Sequence, residues 1–274
     1  MDSREDLEFL RKTQKDLLGG IDTWVPDSAR VWNYWLGGKD NFTVDREAAE
    51  EYARLFPGIF KLVHGQRAFG ARAVRYLVAK GVRQFLVLGS GLPADENPHQ
   101  VAQLLAPQCR VVCVDNDAMA VTHGEALLVS TPEGAIHQID ADLRDPGRIL
   151  AETAQILDLG QPVAILMIAV LGHITDNDQA RQIVRHLMDA LPTGSYLALS
   201  DATDIHPDLV QAQQGYNASG AAPYRLRTPE QIEQFFDGLE QIEPGLVSPA
   251  LWLPDLGHQA PSAVGALAGA AVKR

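Results

Sequence analysis

The sequence is poor in the features that define several protein classes. It holds two cysteines, Cys109 and Cys113, four positions apart in an apolar segment that reads as a strand. That is not zinc-ligand spacing, so they read as core thiols in a reducing compartment. Basic residues are scarce: 23 Lys and Arg against 35 Asp and Glu leave a formal charge of -12. Such a charge repels phosphate backbones and anionic bilayers at long range, so neither nucleic acid nor membrane is an expected partner. The longest apolar run, from Val163 to Leu171, is far short of the roughly 20 residues that cross a bilayer. The first twenty residues are charged throughout and form no signal-peptide core, and the expected location is cytoplasmic. Internal repeats, low-complexity linkers and heptads are also missing, which leaves a homodimer open.

What is present is 46% hydrophobic residues over 274 positions, enough for one large domain or one plus a cap. From Gly81 to Ala202, β-branched and apolar runs alternate with amphipathic stretches, the pattern of a doubly wound α/β protein with a mostly parallel sheet. Strands are expected at Val82–Leu88, Arg110–Val114, Ala135–Ile139, Val163–Ala169 and Ser195–Ser200. Helices are expected behind the Asn97-Pro98 cap, at Asp117–Leu128, at Asp145–Leu157 and at Asn177–Leu191. Thr228, Pro229 and Gln231 form a capping-box start to a helix through Phe236. Two late runs, Leu239–Val247 and Val264–Ala268, suit an antiparallel hairpin at the sheet edge. Residues 1–80 read as largely helical, ending in an apolar stripe from Phe69 to Val78. The expected division is a helical cap over 1–80, packed on a core over 81–274.

The residues able to carry chemistry fall where the expected strands end. The first strand runs into Gly89-Ser90-Gly91-Leu92-Pro93, where two glycines let a ligand approach the backbone. Asp115 ends the second strand, followed by Asn116, and its carboxylate can accept both hydroxyls of a ribose. Asp142 and Leu143 follow the third strand, where a carboxylate can meet an adenine amino group, and Ala169 closes the fourth. Together they describe an adenosine pocket at the topological switch point. Each also has a plainer reading, a tight turn for the glycines or a solvated loop for Asp142, and Asp117 reads best as a helix cap. A dinucleotide loop would want a third glycine where Ala94 stands, and Gly37-Gly38-Lys39 lacks the rest of a Walker loop. A cofactor without phosphate tolerates both departures.

Several blocks resemble one known family. They are Ala29-Arg30-Val31-Trp32-Asn33-Tyr34-Trp35-Leu36-Gly37-Gly38-Lys39-Asp40-Asn41-Phe42, Arg83-Gln84-Phe85-Leu86, the glycine loop, Val114-Asp115, Asp142-Leu143-Arg144-Asp145-Pro146 and Phe235-Phe236-Asp237-Gly238-Leu239. They are similar to the actinobacterial S-adenosyl methyltransferase family, long catalogued as a domain of unknown function. The resemblance implies a seven-stranded, Rossmann-like class I methyltransferase with an N-terminal helical cap, S-adenosylmethionine as cofactor and S-adenosylhomocysteine as product. It also implies that Tyr34, Lys39, Asp40 and Asn41 close over the methionine end, Lys39 pairing with the carboxylate and Asp40 or Asn41 with the ammonium. Two positions depart from the family. Val87 stands where many relatives carry an acid, and the His that relatives place after the fourth strand falls on Gly172, beside His173.

The expected activity is methyl transfer to a small acceptor such as a secondary metabolite. Positioning supplies much of the acceleration, and His173 is the candidate base if the acceptor is a hydroxyl. Trp32, Tyr34, Trp35 and Phe42 can wall an apolar acceptor, and residues 201–224 and 252–262 are expected to contribute. Two alternatives stand beside this reading: a protein that binds the cofactor without transferring methyl, and a nucleotide-sugar or NAD-dependent enzyme on the same sheet.

Overall fold

The computed structural model describes residues 3–254 and 265–274. Four helices come first: α1 (Ser3–Leu17), α2 (Ser28–Trp35), α3 (Thr43–Leu55) and α4 (Ile59–Ala79). Strands and helices then alternate through β1 (Gln84–Leu88), α5 (Pro98–Leu105), β2 (Arg110–Asp115), α6 (Ala118–Leu127), β3 (Ala135–Asp140) and α7 (Pro146–Thr153). The series continues with β4 (Ala164–Ile168), α8 (Asn177–Asp189), β5 (Tyr196–Ala202), α9 (Pro207–Asn217), α10 (Pro229–Glu233), β6 (Glu240–Gln241) and β7 (Ala266–Val272).

The seven strands form one sheet in the order β3-β2-β1-β4-β5-β7-β6. The first five are parallel, and β7 runs antiparallel to both β5 and β6. The expected seven-stranded, mostly parallel sheet is therefore the observed one, with its late antiparallel hairpin at the edge. The chain winds outward from β1 to β3 and then from β4 outward on the other side. The switch point, where crevices form at strand C-termini, lies between β1 and β4.

Every residue of β1 is buried because both sheet faces are covered. Phe85 and Val87 pack with Phe69, Val74 and Leu77 of α4 and with Val101 of α5. Leu86 and Leu88 pack on the opposite face with Ile149, Ile183, Leu187 and Ile232. Both cysteines are free and lie on the α4 side, where burial pushes the Cys113 thiol up to about 12. A third apolar cluster stands off the sheet and joins α2, α3, the first turns of α4 and α9 through Val31, Tyr52, Leu62 and Tyr216. Helix α4 thus serves the sheet with its second half and this helical cluster with its first.

Element ends differ from the expected ones for local reasons. Val82 and Val163 are buried but precede the ladders of β1 and β4. The helix expected at Asp145–Leu157 ends at Thr153, and the chain then closes in turns (Ile156 N to Thr153 O, 2.9 Å). The long strand expected at Leu239–Val247 shrinks to Glu240–Gln241, because Pro244 has no N–H to give the ladder. Pairing resumes only at Val247 against Ala268. Val264 and the segment from 255 to 262 lie outside the described residues. Among those described, no helix is long and apolar enough to cross a membrane.

Candidate functional site

A cavity of about 640 Å³ opens over the C-terminal ends of β1, β2, β3 and β4, a volume within the usual range for small-molecule sites. Gly89, Ser90, Gly91, Asp115, Asn116, Asp142, Leu143, Ala169 and His173 all line it. Gly89 and Gly91 have φ of 69° and 62°, the left-handed region. A Cβ on Gly89 would stand 2.4 Å from Val170 Cγ2, so only glycine allows β1 and β4 to close here.

Asp115 is the node of the site. Its Oδ2 accepts from Gly91 N at 2.7 Å and its Oδ1 from Asp117 N at 3.0 Å, so two backbone amides fix the carboxylate while each oxygen keeps acceptor capacity. Burial raises its pKa, and the amides work against that rise. Asp142 lies across the cavity, with its Oδ1 accepting from Arg144 N at 2.8 Å and its Oδ2 meeting the Arg144 guanidinium at 3.1 Å.

Further charged groups line the cavity that the sequence did not single out for it. Asp27 caps α2, accepting from Ala29 N at 2.9 Å, and burial together with the nearby charge of Asp117 raises its pKa to about 6. Asp117 caps α6 through Ala120 N at 2.7 Å, the plainer role expected for it, and still faces the cavity. Arg67 of α4 reaches the lining with its guanidinium on Asp95 O and Asn97 Oδ1, at 3.0 and 2.8 Å. Burial lowers its pKa, and among the described residues it makes no ion pair.

A smaller, apolar cavity of about 50 Å³ adjoins the first, and Ser28, Trp32, Ala169 and His173 line both. Ala169 has φ of 55°, a strained conformation for a residue with a Cβ, held by Ala169 N on Ser200 O at 2.7 Å. His173 Nδ1 lies 3.2 Å from Pro223 O. A carbonyl only accepts, so Nδ1 carries the proton and Nε2 keeps its lone pair. Burial, the leading cause, lowers the pKa of His173 and keeps the ring neutral near pH 7. The ring packs edge-on against Tyr224, centroids 5.1 Å apart. Tyr224 also explains Gly172: any Cβ there would lie 2.2 Å from the phenol ring, so a tyrosine from a later loop fills the space a side chain at 172 would need.

The polar block after α2 is placed differently from the expectation. Tyr34, Lys39, Asp40 and Asn41 do not line the cavity. Tyr34 donates its hydroxyl to Glu50 at 3.0 Å, Lys39 is exposed, and Asp40 lies 3.9 Å from His123 Nδ1. Asn41 donates to Asn33 Oδ1 and Gly38 O, at 2.9 and 3.1 Å, which ties the turn to α2. The block folds this way because its charge is spent on architecture. Buried Arg30 pairs with buried Asp45 at 2.7 Å, and Asp45 also accepts from Phe42 N, which fixes the start of α3. The block reaches the cavity instead through Arg30, Trp32, Asn33 and Leu36. Trp252, expected near an acceptor, is fully buried against Phe69 in the sheet core.

A family model described as S-adenosyl methyltransferase matches residues 14–274. The chain belongs to the S-adenosyl methyltransferase family. It is accordingly an enzyme of the S-adenosylmethionine-dependent methyltransferase class. A solved DUF574 family protein from Streptomyces avermitilis MA-4680 is 39% identical over 92% of this chain and 99% of its own, with a TM-score of 0.87. A proposed methyltransferase from Thermobifida fusca YX is 37% identical over 93% and 97%, with a TM-score of 0.84. The magnesium protoporphyrin IX methyltransferase of Synechocystis PCC 6803, solved with bound S-adenosylhomocysteine, aligns over 100% of both chains at 15% identity and a TM-score of 0.50, a likeness of fold alone. No curated protein sequence matches the chain.

The cavity of this methyltransferase has chemistry suited to its cofactor. S-adenosylmethionine carries no phosphate, and the glycine loop presents no phosphate-binding helix start. The buried Ser90 hydroxyl has no partner among the described residues, and the carboxylates Asp27, Asp115 and Asp117 line the cavity, which suits a ligand of net positive charge. Among the described residues no cluster of metal-ligating side chains occurs. Arg67 and Tyr224 had no local sequence signal, since each lies far along the chain from the residues it meets, whereas Asp27 meets Ala29 and Arg30 as the cap of α2.

Proposed function

We propose that this methyltransferase transfers a methyl group to a small-molecule acceptor at the junction of the two cavities. That contact through Ala169, His173, Trp32 and Ser28 is the observation that carries the reading, because it joins a chamber of cofactor size lined by several charged groups to a smaller one without Asp, Glu, Lys or Arg among its described lining residues. In the first chamber Asp115 is assigned to the ribose hydroxyls and Asp142 with Leu143 to the adenine. Arg67, which makes no ion pair among the described residues, is assigned to the methionine carboxylate in place of Lys39. Bound there, S-adenosylmethionine supplies an electrophilic methyl on a sulfonium. Helices α1 to α3, with α9, act as the helical cap and exclude water, so positioning and desolvation supply much of the acceleration. His173 Nε2 is free to take the proton of a hydroxyl or amine acceptor.

Titration calorimetry with S-adenosylmethionine and S-adenosylhomocysteine tests the assignment. Asp115→Ala should weaken both by about tenfold or more, the usual scale for losing hydrogen bonds to a charged group, whereas Lys39→Ala should leave them within about twofold. The reverse ranking would restore the polar block to the cofactor and remove Asp115.

A further inference from the structure

The smaller cavity is lined by α2, α3, α4 and α9 beyond the ends of β4 and β5, and two of its lining residues each carry a buried polar atom without a partner among the described residues. Gln66 is 0% exposed, and its Nε2 lies 3.0 Å from Ser200 Oγ. Ser200 Oγ is also 3.0 Å from Leu267 O. A carbonyl only accepts, so the Ser200 proton goes to Leu267, and Ser200 must receive a hydrogen from Gln66. This fixes the orientation of the Gln66 amide. Its Oε1 is left as a buried acceptor without a donor among the described residues. The second atom is the hydroxyl of Tyr216, a residue 8% exposed, which also has no partner there. Its neighbours are already engaged: Tyr52 donates to Gln213 Oε1 at 3.0 Å, and Gln213 Nε2 donates to Asn217 at 2.9 Å.

Two unmet buried polar atoms beside a largely apolar cavity are costly unless something satisfies them. The walls also include Val31, Trp32, Trp35, Leu62, Leu209 and Tyr224 and the neutral polar residues Ser28 and Gln213, and among the described lining residues there is no Asp, Glu, Lys or Arg. An ion would enter without a counter-charge. At roughly 10–15 Å³ per water-sized occupant, about 50 Å³ admits roughly three to five non-hydrogen atoms.

We propose that this cavity receives the reacting end of the methyl acceptor, and that this end is compact, uncharged and carries an N–H or O–H for Gln66 Oε1. The inference rests on the methyltransferase reading and narrows the acceptor from any small molecule to neutral alcohols, enols, amides or amines. Tyr216 supplies the second hydrogen bond, and His173 at the shared wall faces the same group.

Four isosteric probes separate the possibilities: acetamide and 2-propanol, which are neutral donors, acetone, which is neutral without a donor, and acetate, which is charged. Each is titrated into the whole protein, with and without saturating S-adenosylhomocysteine, and read from the indole N–H signals of Trp32 and Trp35. Acetamide and 2-propanol should bind about tenfold more tightly than acetone or acetate. Gln66→Met and Tyr216→Phe should both shrink that preference. Tyr216→Phe should also melt at a higher temperature than the parent, since it removes an unmet buried hydroxyl; it keeps the test valid if the Gln66 variant fails to fold. Acetone matching 2-propanol, acetate binding best, or a lower melting temperature for Tyr216→Phe would overturn the proposal. Selectivity among probes without binding of S-adenosylhomocysteine would keep the cavity's chemistry and remove the cofactor reading, whereas the converse would overturn this inference alone.

Discussion

Lowering the pH from about 7.5 to about 5 should weaken binding of S-adenosylmethionine far more than binding of S-adenosylhomocysteine. Asp27 titrates at about 6 in the free protein because it is buried and faces Asp117. At pH 5 it is mostly protonated, and a cationic ligand must drive the proton off. If binding returns Asp27 to its ordinary 3.8, the shift is about 2 units, equivalent to about 3 kcal/mol at full titration. Only part is lost by pH 5, where the same linkage gives about a tenfold rise in Kd. S-adenosylhomocysteine lacks the sulfonium charge, so its Kd should change by less than about twofold. Calorimetry across this range provides the assay, and Asp27→Asn should flatten the step for the charged ligand. The free fold responds with the opposite sign. A carboxyl whose folded pKa is raised contributes stability that is fully present below 3.8 and is lost as the pH rises through about 6, so Asp27→Asn should raise the melting temperature at pH 7.5. Parallel losses for the two ligands, or a flat profile for the charged one, would refute this reasoning by placing Asp27 outside the cofactor's field.

Other perturbations follow from single contacts. Gly172→Ala drives a Cβ into the Tyr224 ring and should cost roughly 1–3 kcal/mol in urea unfolding. Combined with Tyr224→Ala the two effects should fall short of additive by more than about 1 kcal/mol. Asp45→Ala strands the buried Arg30 guanidinium and should cost about 3–5 kcal/mol; a loss of under about 1 kcal/mol would mean that water reaches the pair. Arg67→Ala should raise the Kd for S-adenosylhomocysteine about tenfold with little change in melting temperature, and an unchanged Kd would remove Arg67 from the carboxylate.

The sheet was legible because a parallel strand buried on both faces is written as an unbroken apolar run, as in Phe85-Leu86-Val87-Leu88 and Ala164-Ile165-Leu166-Met167. The acids at strand ends were legible for the same reason, since topology alone brings Asp115 and Asp142 to the cavity. Helix α9 was not. Its buried positions, Leu209, Ala212, Gln213 and Tyr216, keep helical spacing, but half of that stripe is polar. Those polar residues line the smaller cavity, and a sequence breaks its own pattern where a site is built. The block from Ala29 to Phe42 reads two ways, because polar residues in a turn look alike whether they meet a ligand or cap a helix. Arg30 and Asp45 show that here they hold helices together. Gln66 and Tyr216 could not be read from sequence, because their interest lies in what fails to pair with them.

The most direct test of the account is a nuclear Overhauser measurement on the protein bound to S-adenosylmethionine labelled with carbon-13 at the transferable methyl. Contacts from that methyl to the Ala169 side chain and the Trp32 ring, with none to Tyr34 or Lys39, are the predicted result. Contacts to Tyr34, or none to Ala169, would contradict a transfer site at the junction of the two cavities.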